Sequence, residues 1–388
     1  MIKIYYIANS RMPTIKAYGL QIAKTCEAFA KIGFGCELIV PKRHRYPNTG
    51  ENNILEYYNI KTPFRVTELI SPDLIDIDLG PFLNKFIFWI QQLFFAFSLK
   101  KYLAGREGMV YSRDQFALSV LSSKKFKLYW EAHNLPQNIN SGFYRNILSK
   151  IKGLAVISEG LKNDFAEYYK GPMVVAPDAV DIEEFDIKIS KENARQRLNL
   201  PLDKKIAIYI GHLYEWKGAD LLFEVASKFQ ISNFKSQSNI LFIFVGGTEY
   251  DISRFKKKSE EIGLINAVFL GYKSHNEIPQ YLKAADCAIL TGKKSESISG
   301  KYTSPLKMFE YMASGCPIVA QDLPSFREVL NEENSLIVSA EDSKALAEGI
   351  NEVFNNAELA ARISRKALED VQKYTWPERV RKIIRLFL

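Results

Sequence analysis

Cysteine, histidine and unbroken apolar runs are the scarce features of this 388-residue sequence. Only Cys26, Cys36, Cys287 and Cys316 occur, and no two share a C-x-x-C spacing. That excludes a disulfide-stapled framework and the common zinc modules, and reads as reduced, partly buried thiols. The four histidines supply no metal-ligand spacing either. No stretch offers the roughly 20 uninterrupted apolar residues of a membrane span. Low-complexity tracts, short repeats and the G-x-G-x-x-G dinucleotide fingerprint are missing as well. Charge of one sign does not dominate: Lys+Arg 52 against Asp+Glu 44 leaves +8. Such an excess suits an anionic small molecule, a membrane surface or a nucleic acid without choosing among them. The opening Met1-Ile2-Lys3-Ile4-Tyr5-Tyr6-Ile7 reads as a strand rather than a secretory leader.

The composition, 47% hydrophobic and 25% charged, is that of an ordinary globular protein, and the length predicts two or three domains. Strand and helix patterns alternate almost throughout. Strands are expected at 2–7, 37–40, 109–112, 128–131, 154–158 and 173–176. Helices are expected at 18–31 and from 159 to about 169. A polar stretch from Asp181 to Lys205 then reads as a short helix and linker. The pattern restarts with strands at 206–210, 240–245, 267–270, 287–290 and 317–319, separated by helices at 219–229, 252–262, 278–284 and 305–314. Helical patterns from 344 to about 354 and toward the C-terminus close the chain. Repeated βα units argue for an α/β chain with two doubly wound parallel sheets. Ligands of such sheets bind beyond the carboxyl ends of the strands, and a cleft between two such domains is the expected site. The boundaries are expected at 1–186, 187–370 and 371–388.

Several strings at these strand ends carry chemistry. In Ser304-Pro305-Leu306-Lys307-Met308-Phe309-Glu310, Ser304 is expected to cap a helix that Gly315 ends. The amides of Leu306 and Lys307 would then be open donors at a positive helix end, a natural anion site, with Glu310 one turn on to accept from a ribose diol. Gly211-His212-Leu213-Tyr214-Glu215-Trp216-Lys217-Gly218 follows a strand directly, so His212 and Lys217 are candidates for phosphate contact. Gly246-Gly247 ends another strand and would let a base or ribose lie against backbone. In the first half, Gly19 opens a helix and would present its amide to a phosphate. His133, in Glu131-Ala132-His133-Asn134, and Arg113, in Tyr111-Ser112-Arg113-Asp114, would face the same cleft.

Other strings invite weaker readings. Asp76-Ile77-Asp78 has the D-x-D form of some metal sites but stands between apolar residues. Lys256-Lys257-Lys258, beside Glu260 and Glu261, reads as a solvated helix face, and no nucleic-acid motif occurs. The stretch from Phe82 to Leu103 is aromatic and interrupted by Lys85, Gln91 and Gln92. It reads either as a helix packed on a sheet or as a helix that also touches a bilayer, with Lys100 and Lys101 near headgroups. The basic string Lys42-Arg43-His44-Arg45 would add to a membrane surface.

Taken together, the strings resemble retaining glycosyltransferases of family 4 (glycosyl transferases group 1), with the GT-B fold. Ser304 to Ala320 resembles the donor-site helix in the branch carrying Ser-Pro-Leu-Lys. Gly211 to Gly218 is similar to the family's Gly-Arg-Leu-x-x-x-Lys-Gly loop. Asp178-Ala179-Val180-Asp181 with Phe185 resembles Asn-Gly-Val-Asp-x-x-x-Phe. Phe269-Leu270-Gly271, Tyr281 to Asp286, Val156-Ile157-Ser158-Glu159 and Tyr374-Thr375-Trp376 match further segments. The resemblance implies two Rossmann-like domains facing across a cleft, an N-terminal acceptor domain and a C-terminal donor domain, with a final helix returning to the first. It implies transfer of a sugar from a nucleoside diphosphate sugar to an acceptor hydroxyl in cell-surface glycan, lipopolysaccharide or glycolipid synthesis, with no metal or other cofactor. Lys217 would bind the diphosphate, Glu310 the ribose, the Leu306 and Lys307 amides the phosphate oxygens, and His133 would lie near the transferred sugar. His133, Lys217 and Glu310 are thus the catalytic candidates. Gly19, His212, Gly246, Gly247, Ser304, Leu306 and Lys307 complete the donor set, and Arg113 and Ser158 are acceptor-side candidates. The partners implied are the nucleotide sugar, a glycan or lipid-linked acceptor and a peripheral membrane contact, with no nucleic acid. The expected location is cytoplasmic, at the inner membrane face where such contact is made.

Three departures stand out. His212 replaces the loop arginine, Tyr302 replaces the first Glu of the E-x7-E pattern, and Asp178-Ala179 replaces Asn-Gly. A catalytically inactive partner subunit and a dinucleotide-dependent oxidoreductase are the alternative classes.

Overall fold

The computed structural model describes residues 2–42, 53–73, 80–231 and 239–388. Its internal contacts divide the chain into two compact units, Met1–Pro177 with Trp376–Leu388, and Asp178–Thr375.

The first unit is built on β1 (Lys3–Ile7), β2 (Gly35–Lys42), β3 (Arg65–Ile70), β4 (Gly108–Ser112), β5 (Phe126–Ala132), β6 (Ile151–Val156) and β7 (Met173–Val175). All pairings are parallel, in the order β3-β2-β1-β4-β5-β6-β7. The second unit has β8 (Lys205–Ile210), β9 (Ile240–Val245), β10 (Ala267–Gly271), β11 (Cys287–Leu290), β12 (Ile318–Gln321) and β13 (Leu336–Val338). These too are all parallel, in the order β10-β9-β8-β11-β12-β13. Helices cover both faces, so central strands such as β9 (Ile-Leu-Phe-Ile-Phe-Val) are buried at every position. Strand order reverses between β1 and β4 and between β8 and β11, which creates a crevice at the carboxyl edge of each sheet. All four cysteines are buried and free.

β3 and β13 were not anticipated. Both are edge strands: β3 (Arg-Val-Thr-Glu-Leu-Ile) mixes polar and apolar residues, and β13 (Leu-Ile-Val) is apolar but only three residues long. The helices Gln115–Val120 and Gly142–Lys150 also lacked a clear pattern. The helix expected to run from 159 to about 169 stops at Phe165.

The unit boundaries fall earlier than 186 and later than 370, for visible reasons. The Val180 amide donates to the Tyr374 carbonyl at 3.0 Å, and Phe185 is buried in the second core with Ile206, Ile208 and Met308. Residues 178–186 therefore belong with the second sheet. The helix Trp376–Ile384 packs on the helix Ala17–Lys31 of the first unit, and Phe387 beyond it lies against Phe29 and Tyr129.

That returning helix completes a buried polar cluster. Arg379, 2% exposed, donates from Nη2 to Glu131 Oε1 at 2.8 Å, from Nε to the Pro177 carbonyl and from Nη1 to Thr25. Gln21 and His133 also donate to Glu131 Oε1, and Arg113 donates to Gln21. Burial opposes ionisation of Glu131, but the Arg379 guanidinium, the His133 hydrogen bond and the Arg113 charge outweigh it. The carboxyl is held well below the usual range. Burial and the Arg113 charge push His133 down to about 4, against the opposing pull of Glu131, so the ring is neutral at physiological pH.

The helix Pro81–Tyr102 presents two apolar faces. Ile87, Gln91, Phe95 and Leu99, spaced four apart, are buried on the side packed toward β3. Gln91 donates from Nε2 to the Pro72 carbonyl at 2.9 Å, while its Oε1 is buried with no hydrogen-bond partner among the described residues. Phe86, Trp89, Leu93, Phe94 and Phe97 are 46–69% exposed. Among the described residues no helix is long and apolar enough to cross a membrane. Asp76 and Asp78, and Arg43, His44 and Arg45, lie outside the described residues.

Removing Arg379 leaves a buried carboxylate without its cation, so Arg379→Ala should destabilise the protein by about 3–5 kcal/mol in denaturant unfolding. The His133 ring binds fewer protons folded than unfolded between its ordinary value of 6.5 and about 4. Stability should therefore fall as pH drops through that window, and His133→Asn should flatten this part of the profile in urea titrations at stepped pH.

Candidate functional site

The second unit gathers most of the candidates at the carboxyl edge of its sheet, at the β8/β11 reversal. β8 ends at Gly211, whose φ of +134° is one only glycine adopts readily. Its amide donates to the Val245 carbonyl at 2.8 Å. The chain then forms a 3₁₀ turn, Glu215–Lys217, closed by Gly218 at φ +71°. Thr291 donates to the Lys217 carbonyl and the Lys293 amide to that of Trp216, so this loop is fastened to the one after β11. A Cβ on Gly218 would meet Thr291 Cβ at 3.0 Å, which fixes the residue type by packing as well as by φ.

The loop holds Lys217 with its ammonium 5.1 Å from the Trp216 ring centroid. Burial lowers its pKa to about 8. Lys307 is pushed well below its ordinary value, first by burial and then by the Lys217 charge, with Glu310 pulling the other way. Its Nζ is buried with no hydrogen-bond partner among the described residues and lies 3.8 Å from the Tyr209 ring centroid. Two partly desolvated ammonium groups side by side form an anion-seeking centre, since a bound anion would relieve both penalties.

The adjoining helix is Leu306–Ser314, ended by Gly315 at φ +68°. Ser304 does not cap it. Pro305 occupies the cap position and its carbonyl accepts from Met308, while the Ser304 hydroxyl accepts from the Asp178 amide at 2.9 Å. Ser304 thus ties residues 178–186 to this helix. The amides of Leu306 and Lys307 still fall in the first turn, where helical geometry supplies no acceptor. Glu310 is one turn in, with a side chain 9% exposed, and lies 3.1 Å from His275 Nε2. His275 was not singled out from the sequence. Its signal was one of only four histidines in the loop after a strand, beside the noted Phe269-Leu270-Gly271 string.

Gly246 and Gly247 have a packing explanation. A Cβ on Gly246 would fall 2.4 Å from the Gly211 carbonyl oxygen, and one on Gly247 2.9 Å from Leu213. They let two strand-end loops touch. His212 stacks on Tyr214 with ring centroids 4.8 Å apart. Tyr302, at the expected first acidic position, is buried at the end of the π-turn Ile298–Tyr302.

In the first unit Arg113, His133 and Ser158 follow β4, β5 and β6 at the carboxyl edge of that sheet. His133 and Arg113 join through Gln21 and Glu131 in the polar cluster described above. Ser158 caps the helix Glu159–Phe165 by accepting from the Leu161 amide, which gives it a structural task. Gly19 departs from expectation. Its amide already donates to the Lys16 carbonyl at 2.9 Å, and a Cβ there would lie 2.0 Å from the Tyr58 hydroxyl. Close packing of Tyr58, not an open amide, accounts for this glycine. Among the described residues no cluster of three or more His, Cys, Asp or Glu is placed to hold a metal ion.

Residues 190–370 match the family model described as glycosyl transferases group 1. Over 226 residues the chain is 24% identical to D-inositol 3-phosphate glycosyltransferase from Corynebacterium urealyticum, covering 56% of this chain and 51% of that protein. Over 260 residues it is 26% identical to phosphatidyl-myo-inositol mannosyltransferase from Mycobacterium leprae, covering 66% and 63%. The matched part spans about half to just under two thirds of these relatives. Among solved structures, sucrose-phosphate synthase from Thermosynechococcus elongatus superposes with a TM-score of 0.77 at 19% identity, covering 100% of this chain and 98% of that one. Anabaena HepE in complex with UDP-glucose gives 0.72 at 16% identity, covering 100% and 99%. The chain therefore has the GT-B fold, and its residues 190–370 match the glycosyl transferases group 1 family model.

Proposed function

We propose that this protein is a retaining glycosyltransferase that moves a sugar from a nucleoside diphosphate sugar to an acceptor hydroxyl without a metal ion. The observation that carries this reading is the closeness of Lys217 to Lys307, whose buried Nζ has no hydrogen-bond partner among the described residues, beside the first-turn amides of Leu306–Ser314. Breaking the bond between sugar and diphosphate places negative charge on the leaving phosphate. Fixed ammonium groups and helix amides stabilise that charge where it develops and supply what a divalent cation would otherwise supply. Glu310 accepts from the ribose hydroxyls. With Glu310 given to the ribose, the family resemblance implies a front-face transfer in which the leaving phosphate assists deprotonation of the acceptor hydroxyl on the same face, which retains configuration. His133, neutral and donating from Nε2 to Glu131, keeps its Nδ1 lone pair as an acceptor at the carboxyl edge of the first sheet.

Relatives named for inositol phosphate and phosphatidylinositol acceptors support an acceptor bearing phosphate or lipid. The exposed row on Pro81–Tyr102, ending in Lys100 and Lys101, supports docking of the first unit on an anionic bilayer.

Lys217→Ala and Glu310→Ala, each folded, should lower sugar transfer, or slow donor hydrolysis without acceptor, at least about 10-fold. Near-normal turnover by both would reject the assignment. Because the protonated lysine binds the anion, affinity for UDP, GDP or ADP measured calorimetrically should weaken as pH rises above about 8. Lys217→Arg should lessen that decline, since arginine stays charged while Lys307 still titrates. Sedimentation with phosphatidylglycerol vesicles at low salt should retain the protein. Replacing Phe86, Leu93 and Phe97 together by serine should release it; absence of binding by the unaltered protein rejects the membrane contact.

A further inference from the structure

His275 has no task in the proposed chemistry, yet it is held with care. It opens the 3₁₀ turn His275–Glu277, locked by a reciprocal capping box in which Glu277 Oε2 accepts from the Ser274 amide at 2.9 Å and hydroxyl at 2.8 Å. The imidazole meets the buried Phe185 ring edge-on, with centroids 5.8 Å apart. Its Nε2 lies 3.1 Å from Glu310 Oε1, and its Nδ1 lies 3.6 Å from Glu184 Oε2. Glu184 and Phe185 come from the helix Ile182–Phe185 and Glu310 from Leu306–Ser314. Three separate segments of the second unit thus converge on one ring.

A carboxylate only accepts, so Nε2 is the donor to Glu310. That bond engages Oε1 and removes freedom from a side chain otherwise able to turn about three torsions. Oε2 and the second lone pair of Oε1 stay open to an incoming pair of hydroxyls. The opposite nitrogen lies 3.6 Å from Glu184 Oε2, within ion-pair reach but beyond hydrogen-bond distance, while the Phe185 ring packs edge-on against the imidazole.

We propose that His275 is a positioning residue that holds Glu310 in the rotamer that reads the ribose diol, and so sets the preference for ribo- over deoxyribonucleotides. The proposal rests on the donor-site reading of Glu310 and extends it to a residue that touches no substrate. Such a role differs from plain packing in what it affects. A structural defect weakens every nucleotide alike, whereas a misplaced Glu310 weakens only those carrying the hydroxyl it reads.

The test is calorimetric binding of UDP, GDP and ADP and of their 2′-deoxy counterparts to the full-length protein and to His275→Ala, His275→Gln and Glu310→Ala. For the base that binds, the unaltered protein should prefer the ribonucleotide about 10-fold, as befits a hydrogen bond to a charged group. His275→Ala should bring the ribonucleotide close to the deoxynucleotide affinity while leaving the latter within about 2-fold, matching the selectivity of Glu310→Ala. His275→Gln, which retains an N–H donor, should recover part of the preference, and it decides the matter if the alanine variant fails to fold. Unchanged preference in the His275 variants alongside its loss in Glu310→Ala overturns the positioning role alone. Equal weakening of both nucleotides overturns it too. An unaltered protein that binds none of the six overturns the donor-site reading and this inference together.

Discussion

Parallel strand pairing is the constraint from which the candidate site follows. In a parallel sheet every strand ends at the same edge, so every covering helix starts there as well. Helix N-termini carry unsatisfied amides and partial positive charge, and loops that need not continue a ladder can hold unusual backbone. In the second unit this edge brings together the Gly211–Gly218 loop, Gly246 and the start of Leu306–Ser314, which are separated by dozens of residues in sequence. The glycines matter because the loops are stitched to one another, not merely because they turn. Gly246 lies so close to the Gly211 carbonyl that no side chain fits, and Gly218 is pressed against Thr291. A loop fastened on several sides can hold a lysine in a partly dry position.

The two units treat buried charge in opposite ways. In the first, Glu131 receives Arg379, Gln21 and His133, and Arg379 is itself fully engaged. A charge so compensated holds elements together, here the returning C-terminal helix and the sheet it covers. In the second, Lys307 has no acceptor for its buried Nζ among the described residues and Lys217 is desolvated beside it. Leaving an ammonium in that condition costs free energy that the Tyr209 ring face and the Glu310 charge offset only in part, and a bound anion would recover more of it. This contrast separates a structural cluster from a binding centre more sharply than residue type does, since both contain buried cations.

Much of the architecture was legible because local periodicity and burial agree. β1, β8, β9 and β11 are short apolar runs ended by glycine or polar residues, and such runs between helical patterns have few alternatives. β3 escaped notice because its half-exposed edge position admits polar residues, and β13 because three apolar residues are too short a run to mark a strand. The boundary at 177 was displaced because Phe185 and Val180 look like linker residues in sequence, and only the second core claims them. In the site, Lys217, Lys307 and Glu310 were visible as motif residues. Ser304 was misassigned as a cap because the Ser-Pro pair suggests one, whereas its hydroxyl is engaged by a backbone amide 126 positions away. Gly19 was misread for a similar reason, since an open amide and a packed glycine leave the same letter.

By itself, the sequence determined the alternation of strand and helix, the parallel sheets that follow, and the residue types able to meet a phosphate. These depend on neighbours a few positions apart, where backbone geometry and hydrophobic spacing act. The tertiary structure alone decided which polar groups are satisfied and which are not. Glu131 with Arg379 and Glu310 with His275 are pairs separated by 248 and 35 positions. Whether a buried charge is paired or left open depends on chain segments that meet only after folding, and on water leaving the space between them.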